Sequence, residues 1–493
     1  MTDDVYDLLV VGGGINGVGI ANHAAQAGQK VLLVEQDDLA AATSSASSKL
    51  IHGGLRYLEH YEFRLVREAL GEREVLLEMA PHLVRPMTFV LPHHPGLRPT
   101  WLIRLGLFFY DHLGGRRRLP GSHGLNLRRH PYGEPLQPQF RRGFSYADCW
   151  VDDARLVVAN ALQLRELGGE VLTRTRLDTA WRDADGWWAE LAGPTEARRV
   201  RAKVLVNAAG PWVEQLLKQR LQLGARDAVR LVKGSHIVVP RLHEGQQAYI
   251  LQHADNRIVF VLPYENDYSL IGTTDVPYDG DPRRAAIEQD EVAYLCELVS
   301  EYFARPVQPS DVVWHYAGVR PLYDDQSDDP SAVTRDYVLR LDRDGAPVLS
   351  VFGGKLTTYR QLALAALLEL QPFLPLQPLA AKPPPLPGGD LPEADFEAFL
   401  TTVRQRYAAL DPALLGRLAR QFGSRIDRVL DGVSETADLG QHYGAGLYQC
   451  ELDYLVAQEW ATSADDVLWR RTKRGLHMTA AQRAAVARWF NER

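Results

Sequence analysis

The segment YDLLVVGGGINGVGIANHAAQAGQKVLLVEQ, residues 6–36, is where the architecture first becomes legible. Tyr6 to Val11 is an apolar run of strand length, and Gly12, Gly14 and Gly17 follow at G-x-G-x-x-G spacing. Asn16 to Ala27 has helical composition, with Gly28 placed as its C-cap. A second apolar strand, Lys30 to Val34, ends at the acid Glu35. That acid stands about twenty residues past the glycines, where a carboxylate meets a ribose hydroxyl pair. Gly12 suits the tight turn, Gly14 a backbone that approaches a pyrophosphate, and Gly17 close packing of helix on strand, while the helix N-terminus supplies N–H donors and positive dipole. The glycine spacing alone is a weak signal. Strand, helix and acid in agreement make it a dinucleotide-binding unit, and the negative charge of Glu35, Asp37 and Asp38 disfavours NADP, leaving FAD or NAD.

The remaining composition sets bounds. With 493 residues, 46% hydrophobic and 24% charged, the chain is long enough for two or three domains with their own cores. A net charge of −7 argues against a general nucleic-acid binder, and nucleic acid is not expected as a partner. Cys149, Cys296 and Cys450 lack metal-ligand or redox spacing, so no metal site is expected and the thiols read as reduced, in a cytosolic setting. No basic n-region and apolar core mark a signal peptide near the start. No apolar run reaches the ~18 to 20 residues needed to cross a bilayer.

Taken in order, residues 41–59, AATSSASSKLIHGGLRYLE, form a turn-rich segment directly after the ribose acid, positioned to run along a cofactor toward its reactive ring. Tyr61 to Met79 reads as a helix. WLIRLGLFFY, residues 101–110, is apolar almost all round and is followed by Arg116, Arg117 and Arg118. At about 15 Å it is too short to span a membrane, which leaves a buried core helix or a segment dipped into a lipid interface. A helix is expected from Trp150 to Leu167, then strands at Glu170–Thr173, Trp181–Leu191 and Arg199–Val206, the last entering VNAAGPW. Residues 230–275 alternate as strands do, with a hairpin turn at Glu265–Asp267, and Val312–Val319 and Tyr337–Leu341 extend that region.

These readings divide the chain into a discontinuous Rossmann-like α/β dinucleotide domain (1–80, 145–220, 345–372) and an interleaved antiparallel-β substrate domain (81–144, 221–344). A proline-rich, semi-rigid linker (373–394) and a helical C-terminal domain (395–493) follow.

Six motifs, VVGGGINGVGIA, TSSASSKLIHGGLRYLE, VKGSHIVVP, GTTDVPYDGDP, AGVRPLY and FGGKLTTYR, spread from residue 6 to about 360. In them the chain resembles the FAD-dependent glycerol-3-phosphate dehydrogenases of the aerobic, respiratory branch. The resemblance implies a flavoprotein that oxidises sn-glycerol 3-phosphate at C2 to dihydroxyacetone phosphate and passes electrons to ubiquinone. It implies a peripheral, monotopic place on the cytoplasmic face of the inner membrane, and it leaves a homodimer open. Catalytic and substrate roles fall to His52, Arg56, Tyr57, His236, Arg320, Arg335 and Lys355, with Arg320 and Arg335 matched to phosphate. His52 and His236 are the candidate bases, each with a structural or flavin-contacting role as the alternative. FAD contacts fall to Gly12, Gly14, Ile15, Asn16, Gly17, Glu35, Gln36, Ser44, Ser45, Ser48, Lys49, His52, Gly54, Gly210, Gly354, Leu356 and Thr357. An O2-using oxidase of the same fold is the nearest rival, disfavoured by the absence of an insertion between Tyr337 and Lys355; a flavin-bound protein without turnover is the more distant one.

Overall fold

The computed structural model describes residues 5–55, 58, 62–94, 96–115, 118–224, 227–253, 257–324 and 336–493. The glycine motif folds as expected. Val5–Val11 is a strand, Ile15–Gln26 a helix with Gly14 in extended conformation at its N-cap, and Val31–Val34 a second strand parallel to the first. Gly28, with φ of +82°, takes the left-handed position one residue beyond the helix's C-cap, Ala27.

Two sheets carry the rest. In the first, Val348–Phe352, Ala197–Asn207, Val5–Val11, Val31–Val34 and Glu170–Leu172 run parallel, edged by the antiparallel strand Val338–Asp342. Helices Ile15–Gln26, Asp153–Glu166 and Tyr359–Leu370 bury one of its faces, where Leu8, Val10, Leu33, Val157, Leu349 and Leu362 share a core. Parallel strands covered this way read as continuous apolar runs, the pattern of Leu8 to Val11 and Val31 to Val34. The second sheet is mostly antiparallel and centred on Val229–Pro240, which pairs with Tyr268–Gly272 and Trp314–Tyr323.

Pairing moves several expected boundaries. Arg142–Val151 lies wholly in the second sheet against Val84–His93, so Trp150 is a strand residue, and the helix begins at Asp153, capped by Asp152. Conversely, Val338–Asp342 belongs to the first sheet rather than to the substrate region. Trp181–Leu191 is not one strand but a hairpin, Arg176–Asp183 with Gly186–Ala192. The helix Gln289–Tyr302, unmarked in the sequence reading, packs Leu295, Cys296 and Val299 against the second sheet.

The proline-rich stretch is a strap rather than a spacer. Gln377 N donates to Ala27 O at 2.9 Å and Leu386 N to Met79 O at 2.9 Å, while Leu374 and Leu386 enter the first core. Beyond it, helices Phe396–Arg406, Pro412–Phe422, Gln449–Gln458 and Ala480–Asn491 enclose a separate core around Leu415, Leu418, Phe422, Leu452 and Leu455.

Helix Thr100–Leu113 buries Leu107 and Tyr110 but exposes Trp101 (68%), Leu105 (43%), Phe108 (52%) and Phe109 (42%), which removes the buried-core reading for that face. Tyr110 is no interfacial aromatic, since its hydroxyl donates to Asp148 inside the fold. Arg116 and Arg117 lie outside the described residues. Among those described, no helix is long and apolar enough to cross a membrane, and no group of His, Cys, Asp or Glu could hold a metal ion.

Candidate active site

At the C-terminal ends of the parallel strands the glycine turn forms a cradle that side chains would fill. A Cβ on Gly12, whose φ is +118°, would lie 2.4 Å from the Ala208 carbonyl oxygen, and one on Gly17 would lie 1.9 Å from that of Gly12. Ile15 N donates to Ser44 Oγ at 3.0 Å, which ties the first turn of the helix to the Thr43–Ser45 turn. Glu35 accepts from Gly13 N at 2.6 Å and from Asp37 N at 2.8 Å, each oxygen keeping a lone pair. Burial pushes its carboxyl above the ordinary range, against the pull of those two amides. Gln36 is half-buried beside it, and Gly210, at φ +56°, faces open space. Asp38 does not face a ribose. It is fully buried and ion-paired with Arg471 at 2.7 Å, which offsets its charge, though that charge is still felt at Glu35.

Residues 43–54 then cross from the cradle onto the second sheet. Thr43 Oγ1 donates to Val319 O at 2.6 Å, and Tyr316 Oη to Ser47 O at 2.7 Å. Ser48 Oγ meets His236 Nε2 at 2.9 Å. The Lys49 ammonium is buried against Asp153 at 2.8 Å and donates to Ser45 O at 3.0 Å, so its charge is not free for a cofactor phosphate. Further along, His52 N donates to Thr357 Oγ1 at 3.3 Å, and Gly53 N to Tyr110 Oη at 2.8 Å. Burial lowers the His52 imidazole's pKa; nearby Asp148 opposes this and nearby Lys355 adds to it.

A third segment closes the site. Asn16 Nδ2 donates to Gly353 O at 3.0 Å, and a Cβ on Gly354, at φ +96°, would lie 2.5 Å from Asn16 Nδ2. Lys355, Leu356 and Thr357 follow, ahead of helix Tyr359–Leu370. Asn16 Oδ1 is buried without a hydrogen-bond partner among the described residues, an acceptor left over inside the cradle.

His236 and Arg320 lie on neighbouring strands. In the register His236 pairs with Tyr316 and Val232 with Arg320, and directly opposed residues share a face. Between them Gly234 opposes Gly318. A Cβ on Gly318 would strike Ala46 Cβ at 2.7 Å, and one on Gly234 would lie 3.0 Å from Arg320 Nη2. The His236 ring stacks on Tyr316, with centroids 4.8 Å apart. Its Nδ1 is buried without a partner among the described residues. Burial, then the nearby Lys49 and Arg320 charges, lower its pKa to about 3, so the ring is neutral at ordinary pH. Arg320 donates to Thr274 O at 3.0 Å and pairs with Asp275.

The structure thus brings together Glu35, the Ser44–Gly54 segment, His236, Arg320 and the Gly354–Thr357 turn. Arg56, Tyr57 and Arg335 lie outside the described residues. Sequence reasoning missed Asp148, Asp153, Asp275 and Tyr316. Asp148, held by Arg73 at 2.7 Å and Tyr110 at 2.6 Å, braces the His52–Gly54 turn, and Asp153 braces the Ser47–Lys49 turn. Only Asp275 stood in a motif, as the acid of GTTD; the others sit in strands or helix starts whose partners are remote in the chain.

A parallel sheet with a G-x-G-x-x-G cradle, an acid at the end of its second strand and a histidine–arginine face from a second sheet has the form of a dinucleotide-dependent oxidoreductase. A family model described as FAD dependent oxidoreductase matches residues 7–360, and one described as the C-terminal domain of alpha-glycerophosphate oxidase matches residues 381–491. A glycerol-3-phosphate dehydrogenase of Pseudomonas aeruginosa is 54% identical, covering 99% of this chain and 95% of its own. The aerobic glycerol-3-phosphate dehydrogenase of Escherichia coli is 53% identical, covering 99% and 98%, and the D-erythritol 1-phosphate dehydrogenase of Brucella abortus 50%, covering 99% and 98%. Among solved structures, the glycerol-3-phosphate dehydrogenase of Bacillus halodurans complexed with FAD superposes with a TM-score of 0.81 at 28% identity, covering 100% of this chain and 91% of that one. The chain belongs to the FAD-dependent oxidoreductase family, in its glycerol-3-phosphate dehydrogenase group, and its cofactor is FAD.

Proposed function

We propose that this chain oxidises sn-glycerol 3-phosphate at C2 to dihydroxyacetone phosphate and delivers the electrons to a membrane quinone. The observation that carries the reading is its end-to-end identity, above 50%, with two glycerol-3-phosphate dehydrogenases. When bound, FAD supplies a two-electron acceptor for the C2 hydride. Residues Gly12 to Gly17 and the helix N-terminus take the pyrophosphate, and Glu35 takes the ribose hydroxyls. Arg320, with Arg335, takes the substrate phosphate, and Arg56 and Lys355 serve beside substrate and flavin. Neutral His236 is the group placed to take the C2 hydroxyl proton, while the two electrons and the C2 hydrogen would pass together to bound FAD, leaving the ketone. His52 is a cofactor contact in this scheme, its turn braced by Asp148.

Quinone dissolves in lipid while the substrate is aqueous, so the protein must lie on the membrane surface, at the cytoplasmic face of the inner membrane. The exposed Trp101, Leu105, Phe108 and Phe109 support that placement. The test is anaerobic bleaching of the flavin absorbance by glycerol 3-phosphate, followed by reoxidation with a quinone analogue; absence of bleaching overturns the reading. The 50% identity to a D-erythritol 1-phosphate dehydrogenase favours one second reading, a longer polyol phosphate as substrate. Comparing kcat/KM for the two phosphates decides between them.

A further inference from the structure

The C-terminal domain has no part in the chemistry above, yet its cations hold acids on both flanks of the cofactor cradle. Both oxygens of buried Asp38 accept from Arg471, at 2.7 and 2.8 Å, and Arg470 Nε donates to the same carboxylate at 2.6 Å. The two arginines end a π-helical turn, Asp466–Arg471. Its first residue, Asp466, is held by Arg174 at 2.7 Å, and Arg174 N donates to Asp37 O at 2.9 Å. Asp38 stands three residues after the ribose acid Glu35 and two before Ala40, whose N–H donates to Gly13 O at 3.1 Å. On the other flank Lys473 pairs with Asp152, the N-cap of helix Asp153–Glu166, and the adjacent Asp153 holds Lys49 and Ser47 of the segment that crosses to the second sheet.

We infer that docking of the C-terminal domain and retention of FAD form one coupled equilibrium, with Arg471 as the positioning residue that links them. Without Arg471, Asp38 keeps Arg470 on one oxygen while the other is left buried and unpaired, and that carboxylate must either take up a proton or carry the 35–40 segment away from Gly13 toward water. That movement takes Glu35 off the ribose and loosens the phosphate turn together. Coupling between two binding events is reciprocal, so FAD in turn holds the 466–473 segment in place. Ion pairs that merely strengthened the fold would couple to FAD only through global stability, with exchange on FAD removal rising throughout the chain rather than at these two segments.

The experiment uses the full-length holoprotein and reads FAD, not substrate turnover, so its failure is distinct from failure of the proposed oxidation. FAD dissociation constants are measured by flavin fluorescence for wild type, Arg471→Met, the milder Arg470→Gln, and Arg428→Gln, an exposed arginine of the same domain 3.9 Å from Glu166. Hydrogen exchange is followed in wild-type protein with and without FAD. Expected are a tenfold or greater rise in the dissociation constant for Arg471→Met, a smaller rise for Arg470→Gln and none for Arg428→Gln. Residues 35–40 and 466–473 should also exchange faster together when FAD is removed. Dissociation constants within twofold of wild type in folded Arg470 and Arg471 variants overturn the inference. So does unchanged exchange at 466–473 on FAD removal, which decides the matter even if Arg471→Met fails to fold.

Discussion

Arg320→Ala tests the substrate end of the site most directly. Its side chain is 35% exposed and stands at the glycine gap between Gly234 and Gly318, with Asp275 as its acidic partner. A phosphate at about 4 Å in surroundings of effective dielectric ~20 would interact by ~4 kcal/mol for each unit charge. Partial solvent screening and competition from Asp275 reduce that to the range of a charge-assisted hydrogen bond, about 1.5 to 3 kcal/mol. The variant should therefore lose about ten- to a hundredfold in kcat/KM for glycerol 3-phosphate. Glycerol, which lacks the phosphate, should be a very poor substrate of the wild type and should lose little further in the variant. The assay is dye-linked turnover of both substrates at matched FAD occupancy. An unchanged kcat/KM for glycerol 3-phosphate, or an equal fractional loss for both substrates, would refute the assignment.

His236→Asn should lower kcat by roughly 10²- to 10⁴-fold at full FAD occupancy. Because the folded imidazole titrates near pH 3, the wild-type kcat/KM profile should show no acid limb from it between pH 6 and 9; a loss confined to FAD content would make it a cofactor contact. Glu35→Ala should weaken FAD retention more than it slows the fraction still loaded, as read by flavin content after gel filtration. Acid should destabilise the fold, since buried His23 and His243 are lowered to about 4 and His82 and His236 to about 3, chiefly by burial. Below the unfolded value near 6.5 the unfolded chain binds protons that the folded chain refuses, so stability falls as pH drops toward 3, by about 2 kcal/mol per histidine at pH 5. A urea midpoint equal at pH 7 and pH 5 would sink that account. Finally, Phe108→Ser with Phe109→Ser should weaken binding to anionic liposomes tenfold or more, at about 1 kcal/mol for each half-exposed ring. Water-soluble dye activity should survive, and a variant that misfolds instead would return this face to a structural role.

The local unit of strand, glycine turn, helix and acid was readable from residues 6–36 because every requirement there is met within thirty residues: apolar periodicity, absence of Cβ atoms at fixed spacing, and a carboxylate at the end of the second strand. His236, Arg320 and the Gly354–Thr357 turn were readable only as family motifs, and nothing local in KGSH or AGVRPL says that the two strands carrying them are neighbours. Pairing between remote strands decided that, as it decided that Arg142–Val151 joins the second sheet and Val338–Asp342 the first. Asp38 shows the limit most plainly. Three residues beyond Glu35 it reads as one more charge near a ribose, but tertiary packing buries it against Arg470 and Arg471, more than 400 positions away. A charge's role depends on which opposite charge shares its low-dielectric surroundings, and that is a property of the folded chain rather than of its neighbours in sequence.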